Sequence, residues 1–165
     1  MSELYRTKRT LGCVTYGRVI PLAQLSGVTS RRYGSSGFAV LPPFRAGAFF
    51  ERLLPREVSI HAPVDGVVTD SGDELIFRTG DGISVAVTLG VTEGCMCRVG
   101  GKVRAGEMVW MLPRERLLGN GSGGIITVGF PDLDRVTELH IIAGVRRAGQ
   151  SAAFYKLRPL ISAEK

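Results

Sequence analysis

The stretch "ISVAVTLGV", residues 83–91, alternates without a break. Ile83, Val85, Val87, Leu89 and Val91 fall on one side, and Ser84, Ala86, Thr88 and Gly90 on the other. Period-two alternation marks a strand with one face in a core. The second face carries only small residues, where a surface strand usually carries charged and long polar chains. A face this small leaves room for close approach, and it raises the question of whether Thr88 does chemistry with what approaches.

The strand reading extends to the rest of the chain. Twenty-two glycines and short β-branched runs point to an all-β domain with tight turns. Strands are expected over 12–21, 38–41, 58–62, 66–70, 74–79, 83–91, 102–104, 108–112, 125–130, 143–146 and 152–157. Gly80-Asp81-Gly82 is the strongest hairpin signal, because glycine supplies the positive φ that such turns need. One or two short helices are expected, "GAFFERLL" (47–54) and "DLDRVTEL" (132–139). The second has Pro131 before it and Asp132 and Asp134 in its first turn. The expected core is Val64, Val67, Ile76, Val85, Val87, Leu89, Val109 and Ile126.

A chain of 165 residues can bury one core without a disulfide or a metal. Its three cysteines, Cys13, Cys95 and Cys97, are an odd number, and no apolar run is long enough to span a bilayer. The expectation is free thiols in a reducing cytoplasm, with no membrane insertion. The net charge of +6 is uneven: nine basic and three acidic residues lie in 1–58, and the remainder carries twelve of each. Those arginines are scattered, without aromatic interleaving or a helical stripe, so nucleic acid is not the expected partner.

Two units share a grammar. "HAPVDGVV" (61–68) is strand, turn, strand, and so is "GGKVRAGEMVWML" (100–112). Lipoyl and biotinyl carrier domains use similar pieces but present a lysine on a hairpin. The only lysines here are Lys8, Lys102, Lys156 and Lys165, none in that setting. That argues against a cofactor carrier, and no cofactor is expected.

A fuller match runs along nearly the whole chain. "GRVIPLAQL" (17–25), "GFAVLP" (37–42), "APVDGVV" (62–68), "GGKVRAGEMV" (100–109) and "PDLDRVTEL" (131–139) occur in this order. With them the sequence resembles the glucose-type enzyme IIA domain of the bacterial phosphoenolpyruvate-dependent sugar phosphotransferase system. The resemblance implies a β-sandwich with barrel-sandwich-hybrid (duplicated hybrid motif) character, in which the small face of a central strand lines a shallow depression. It also implies a relay: a histidine phosphocarrier protein delivers a phosphoryl group to a histidine, which passes it to a sugar-specific domain. A second histidine would steady the charge that develops during transfer.

On that resemblance, Thr88 stands at the place of the accepting histidine and Asp73 near that of the supporting one. Two acidic docking positions become Ser36 and Thr92. A surface phenylalanine becomes Thr29, followed by Arg31 and Arg32. These positions, with Val87 and Gly90, form the expected partner surface. A threonine hydroxyl is a poor nucleophile without a base beside it. Phosphothreonine is also a low-energy ester that would not hand its phosphoryl group onward.

Other motifs carry less. His61 and His140 fall outside the family's active-site positions, His61 on a strand before the APVDG turn and His140 at the end of the 132–139 helix. Cys95-Met96-Cys97 supplies two thiols where a structural zinc site wants four ligands. "LLGNGSGG" (117–124) lacks the Gly-Lys-Ser/Thr ending of a phosphate loop. The duplicated-hybrid-motif zinc peptidases need a close His-x-His pair, which is absent. The segment 44–59 is longer than its counterpart in the family; it either covers a core edge or forms a partner surface. The reading is thus a basic tail (1–11), an enzyme IIA-like β domain (12–161) and a short C-terminal tail (162–165). The domain is expected to be cytoplasmic and non-catalytic, binding another protein at the Thr88 depression, either a phosphotransferase component or a regulator. The rival is a genuine phosphoryl carrier with an atypical acceptor.

Overall fold

Strands dominate the described residues, which in the computed structural model are 8–25, 36–41, 56–71, 74–89, 98–119, 124–131 and 135–158. In chain order these are β1 (Arg9–Gly12), β2 (Gly17–Pro21), β3 (Gly37–Leu41), β4 (Glu57–His61), β5 (Gly66–Ser71), β6 (Glu74–Arg78) and β7 (Ser84–Thr88). Then follow β8 (Lys102–Val103), β9 (Met108–Pro113), the short helix α1 (Arg114–Leu118), β10 (Ile126–Gly129), β11 (Val136–Ile141), β12 (Gly144–Arg146) and β13 (Ser151–Leu157). Eight strands form one sheet in the order β12-β2-β3-β10-β7-β6-β5-β8. Against it lie a three-stranded sheet, β1-β13-β11, and the pair β4-β9. The core fills the space between. Val85, Val87, Phe38, Val128, Leu75 and Phe77 of the large sheet share one cluster with Leu11, Ile60, Trp110 and Leu157 of the smaller ones. Phe130, just after β10, meets Tyr155 of β13 at a tilted angle of 59° with ring centroids 4.9 Å apart. This is the expected all-β sandwich.

The two look-alike motifs meet and hold each other. The Ala62 N–H donates to the Glu107 carbonyl at 2.8 Å, and the Gly106 N–H to the Ala62 carbonyl at 2.9 Å. The Asp65 carboxylate accepts from the Ala105 N–H at 2.7 Å. His61 Nδ1 donates to the Gly106 carbonyl at 2.8 Å, and its Nε2 lies 3.1 Å from Ser59 Oγ. Two further turns close on this clamp, through Gly12 N–H to the Pro63 carbonyl (2.8 Å) and Gly149 N–H to the Cys13 carbonyl (2.9 Å). Gly106 has φ +86° and Gly149 φ +85°, where an L side chain is strained. A Cβ on Gly106 would stand 3.9 Å from the Gly149 Cα, so the two turns pack backbone to backbone.

Several expectations change. The helix over 132–139 is not formed across its second half: Val136–Ile141 is strand β11. Its ladder with β13 slips between Thr137 and His140, and Glu138 sits at φ +50°. That bulge brings Val136 and Leu139, three residues apart, onto the core side, which imitates helical spacing. His140 therefore lies exposed on a strand and caps no helix. Residues 47–54 lie outside the described residues. The single expected strand 12–21 is two strands in different sheets, and β1 takes in residues 9–11 that the sequence reading gave to a tail. Helix α1 was not anticipated; it follows Pro113 and buries Leu117. Val67 and Ile76 are half-buried, and Val68, Leu75 and Phe77 point inward instead. A run such as "ELIF" does not reveal its phase, and β5 and β6 carry a register slip after Val68.

The core makes alkaline stability predictable. Tyr155 is 3% exposed, and burial pushes its hydroxyl from the ordinary 10.0 up to about 12, with Arg9 opposing and Asp81 adding. Burial likewise raises the Cys13 thiol. Unfolded Tyr155 loses its proton near pH 10 while the folded protein keeps it, so its contribution is complete below that pH. It falls as pH rises towards about 12, by about 2–3 kcal/mol in all. Urea unfolding of wild type and Tyr155→Phe from neutral to alkaline pH checks this. The variant should lose the steeper part of the decline, and identical slopes would refute the assignment.

Candidate functional site

The β6–β7 hairpin fixes the site. The Thr79 N–H donates to the Ile83 carbonyl at 2.9 Å and the Gly82 N–H to the Thr79 carbonyl at 3.0 Å, with Gly82 at φ +80°. From that closure the pairing runs outward as Arg78↔Ser84, Phe77↔Val85, Ile76↔Ala86, Leu75↔Val87 and Glu74↔Thr88. Opposed residues in an antiparallel pair share a face. On β7's other flank Thr127 stands against Thr88, and Ala39 stands against Thr127. One row across four strands is therefore Ala39, Thr127, Thr88, Glu74.

Within this row Thr88 Oγ1 donates to Glu74 Oε2 at 3.1 Å. Thr88 is half-buried, whereas Glu74 is only 4% exposed and Thr127 is buried. A carboxylate within hydrogen-bond reach of a hydroxyl is the geometry in which a base could take its proton. It is not an imidazole pair. His61 is engaged in the clamp and His140 stands on β11, each in a sheet other than that of Thr88.

The small face continues beyond β7. Gly37 and Ala39 on β3, and Gly129 and Thr127 on β10, extend it. A Cβ on Gly37 would lie 2.0 Å from the Val128 carbonyl oxygen and 3.0 Å from Leu22 Cδ1, so glycine is required there. The middle of the face is closed: Ala39 and Ala86 are fully buried, and only Ser84 and Thr88 on β7 keep partial exposure. The open depression is accordingly confined to the ends of the face.

The expected site residues separate. Ser36 is half-buried beside Phe130, whose N–H donates to its carbonyl at 3.3 Å. It stands two strands and three residues from Thr88, about 14 Å by sheet spacing. Val87 is 0% exposed and points into the core, so it is not part of a partner surface. Thr29, Arg31, Arg32, Asp73, Gly90, Thr92, Cys95 and Cys97 lie outside the described residues. The side chain that meets Thr88 is Glu74, which the sequence reading missed. Its signal was present, since counting outward from a turn closed at Thr79 and Ile83 reaches Glu74 and Thr88 together. Among the described residues no three His, Cys, Asp or Glu side chains gather as a metal site. Nor is any helix there long and apolar enough to cross a membrane.

No family model and no curated protein matches the chain. Among solved structures it is similar to glucose permease IIA from Mycoplasma capricolum, with a TM-score of 0.67 and 15% identity. The match covers 90% of this chain and 96% of that one. The two share a fold over almost their whole lengths.

The hydroxyl–carboxylate bond predicts a measurable contribution. Thr88→Val keeps the shape and removes the donor to a buried carboxylate, which should destabilise by about 1–2 kcal/mol in urea unfolding. An unchanged midpoint would mean that the bond contributes nothing in solution.

Proposed function

We propose that the chain is an enzyme IIA-like module of the sugar phosphotransferase type that binds a partner protein through the Thr88 end of its small face and carries no phosphoryl group. The observation behind this reading is the Thr88–Glu74 pair. By the motif resemblance, the accepting imidazole belongs at Thr88 and the supporting one beside it. A hydroxyl bonded to a buried carboxylate stands there instead. The whole-length likeness in fold to a glucose permease IIA supports the scaffold part of the reading.

Chemistry argues the same way. A relay needs an acceptor whose phosphorylated form is energetic enough to give its phosphoryl group away, and a threonine ester is not. Neither of the two histidines stands in the sheet of Thr88 to stabilise a transferring phosphoryl group. What remains is the half-buried Thr88 beside a buried carboxylate, at the open end of a small-residue face. The partner is a phosphotransferase component or a regulator of sugar uptake, and the setting is the bacterial cytoplasm. One observation favours a second reading: Glu74 Oε2, 3.1 Å from Thr88 Oγ1, could act as base and make Thr88 an atypical acceptor.

Incubation with phosphoenolpyruvate, enzyme I and the histidine phosphocarrier protein, followed by intact-mass measurement, separates the two. The expected outcome is a mass without added phosphoryl groups. A stoichiometric phosphoryl adduct mapped to Thr88 would establish the second reading, and one on His61 or His140 would reveal a displaced acceptor.

A further inference from the structure

A groove of about 710 Å³ lies at the end of β6 remote from Thr88, where β5, the edge strand β8, the β6–β7 turn and the Arg104–Glu107 turn meet. Arg78 is four residues along β6 from Glu74, about 13 Å away. Arg78, Val67 and Lys102 form one row across β6, β5 and β8, with Arg104 just beyond. All three cations are exposed, and Val67 is half-buried between Arg78 and Lys102; Val103 points to the other face of β8 and packs against the core.

The groove also contains Asp65 and Glu107, so its formal charge is close to balanced, but the two signs are used differently. Asp65 accepts from the Ala105 N–H at 2.7 Å and Glu107 from the Arg104 N–H at 3.4 Å. Both carboxylates face the backbone of the turn they hold. Among the described residues no carboxylate pairs with Arg78, Lys102 or Arg104. The groove therefore presents three cations without an ion pair among the described residues, one more than its two exposed carboxylates, around Val67.

We propose that this groove binds an acidic, extended polypeptide segment of another protein, with carboxylates on the cations and a small apolar side chain over Val67. Charge selects the sign of the ligand. The lining selects its class. No aromatic residue lines the groove, so it offers no platform for stacking nucleic-acid bases. It is also open along its length, unlike the enclosed pockets that bury most of a small ligand. The proposal does not rest on the function assigned to Thr88.

The test uses the full chain and a dye-labelled peptide of alternating glutamate and valine, followed by anisotropy and by amide NMR shifts. Binding should weaken as salt rises, and shifts should centre on Val67, Thr79, Gly80 and Val103. Arg78→Glu/Lys102→Glu/Arg104→Glu should weaken binding by about tenfold or more, while Arg18→Glu, on β2, should change it by less than about twofold. The single tryptophan, Trp110, is fully buried and reports whether each variant is folded. If the triple reversal fails to fold, Lys102→Gln/Arg104→Gln should still give a clear weakening. Thr88→Val should leave peptide binding unchanged, which separates this proposal from the one above. Equal binding by wild type and the triple variant would overturn it, as would no binding at all. So would displacement of the peptide by oligothymidine or pyrophosphate at lower concentrations than unlabelled peptide.

Discussion

Two turns of similar sequence grip each other, and the rest of the fold depends on that grip. Ala62 exchanges backbone hydrogen bonds with Gly106 and Glu107, Asp65 caps the Ala105 N–H, and the His61 ring bonds the Gly106 carbonyl. Backbone groups at such a junction must find partners, since an unpaired buried one costs about as much as a lost hydrogen bond. These four bonds hold the turn between β4 and β5 against the turn between β8 and β9. The Gly12 and Gly149 turns then lock the N-terminal strand and β13 onto the same point. The sandwich is closed here, and from here β5 leads into the β6–β7 hairpin and to Thr88.

The same junction explains the charge pattern at the hairpin end. Asp65 and Glu107 hold turns, so they are poorly placed to neutralise Arg78, Lys102 and Arg104. The groove there carries one more cation than carboxylate, and its cations make no ion pair among the described residues. At the opposite end of β6 the arrangement reverses: a buried carboxylate, Glu74, is bonded to a hydroxyl, and no imidazole stands with it. The two ends of one hairpin thus differ in sign and in burial, and each suits a different kind of contact.

Much of this could be read from the residues, for physical reasons that differ from place to place. Strand β7 was legible because its alternation is strict and one face is wholly apolar. The two turns of the clamp were legible because Asp, Gly and Pro at fixed offsets encode turns directly, but their mutual contact was not. Phase was not legible in "ELIF" or at Val67, where consecutive apolar residues fit either face. Strand β11 was misread because Pro131, Asp132 and Asp134 form a helix-start signal, and the bulge gives the apolar residues after them a three-residue spacing. The motif order pointed to Thr88, but the residue that faces it depends on hairpin register. One residue of slip exchanges Asp73 for Glu74 and moves a side chain to the other face. Ser36 and Val87 were assigned by motif position, which carries no information on sheet distance or on which way a side chain points.

The central claim is that this enzyme IIA fold holds no working phosphoryl acceptor. Its most direct test follows the donor: histidine phosphocarrier protein loaded with labelled phosphate is mixed with an excess of the chain, and the label remaining on the donor is timed. The account predicts that the lifetime of the donor's phosphohistidine is the same with and without the chain. A shortened lifetime, with label appearing on the chain at the rate it leaves the donor, would contradict it.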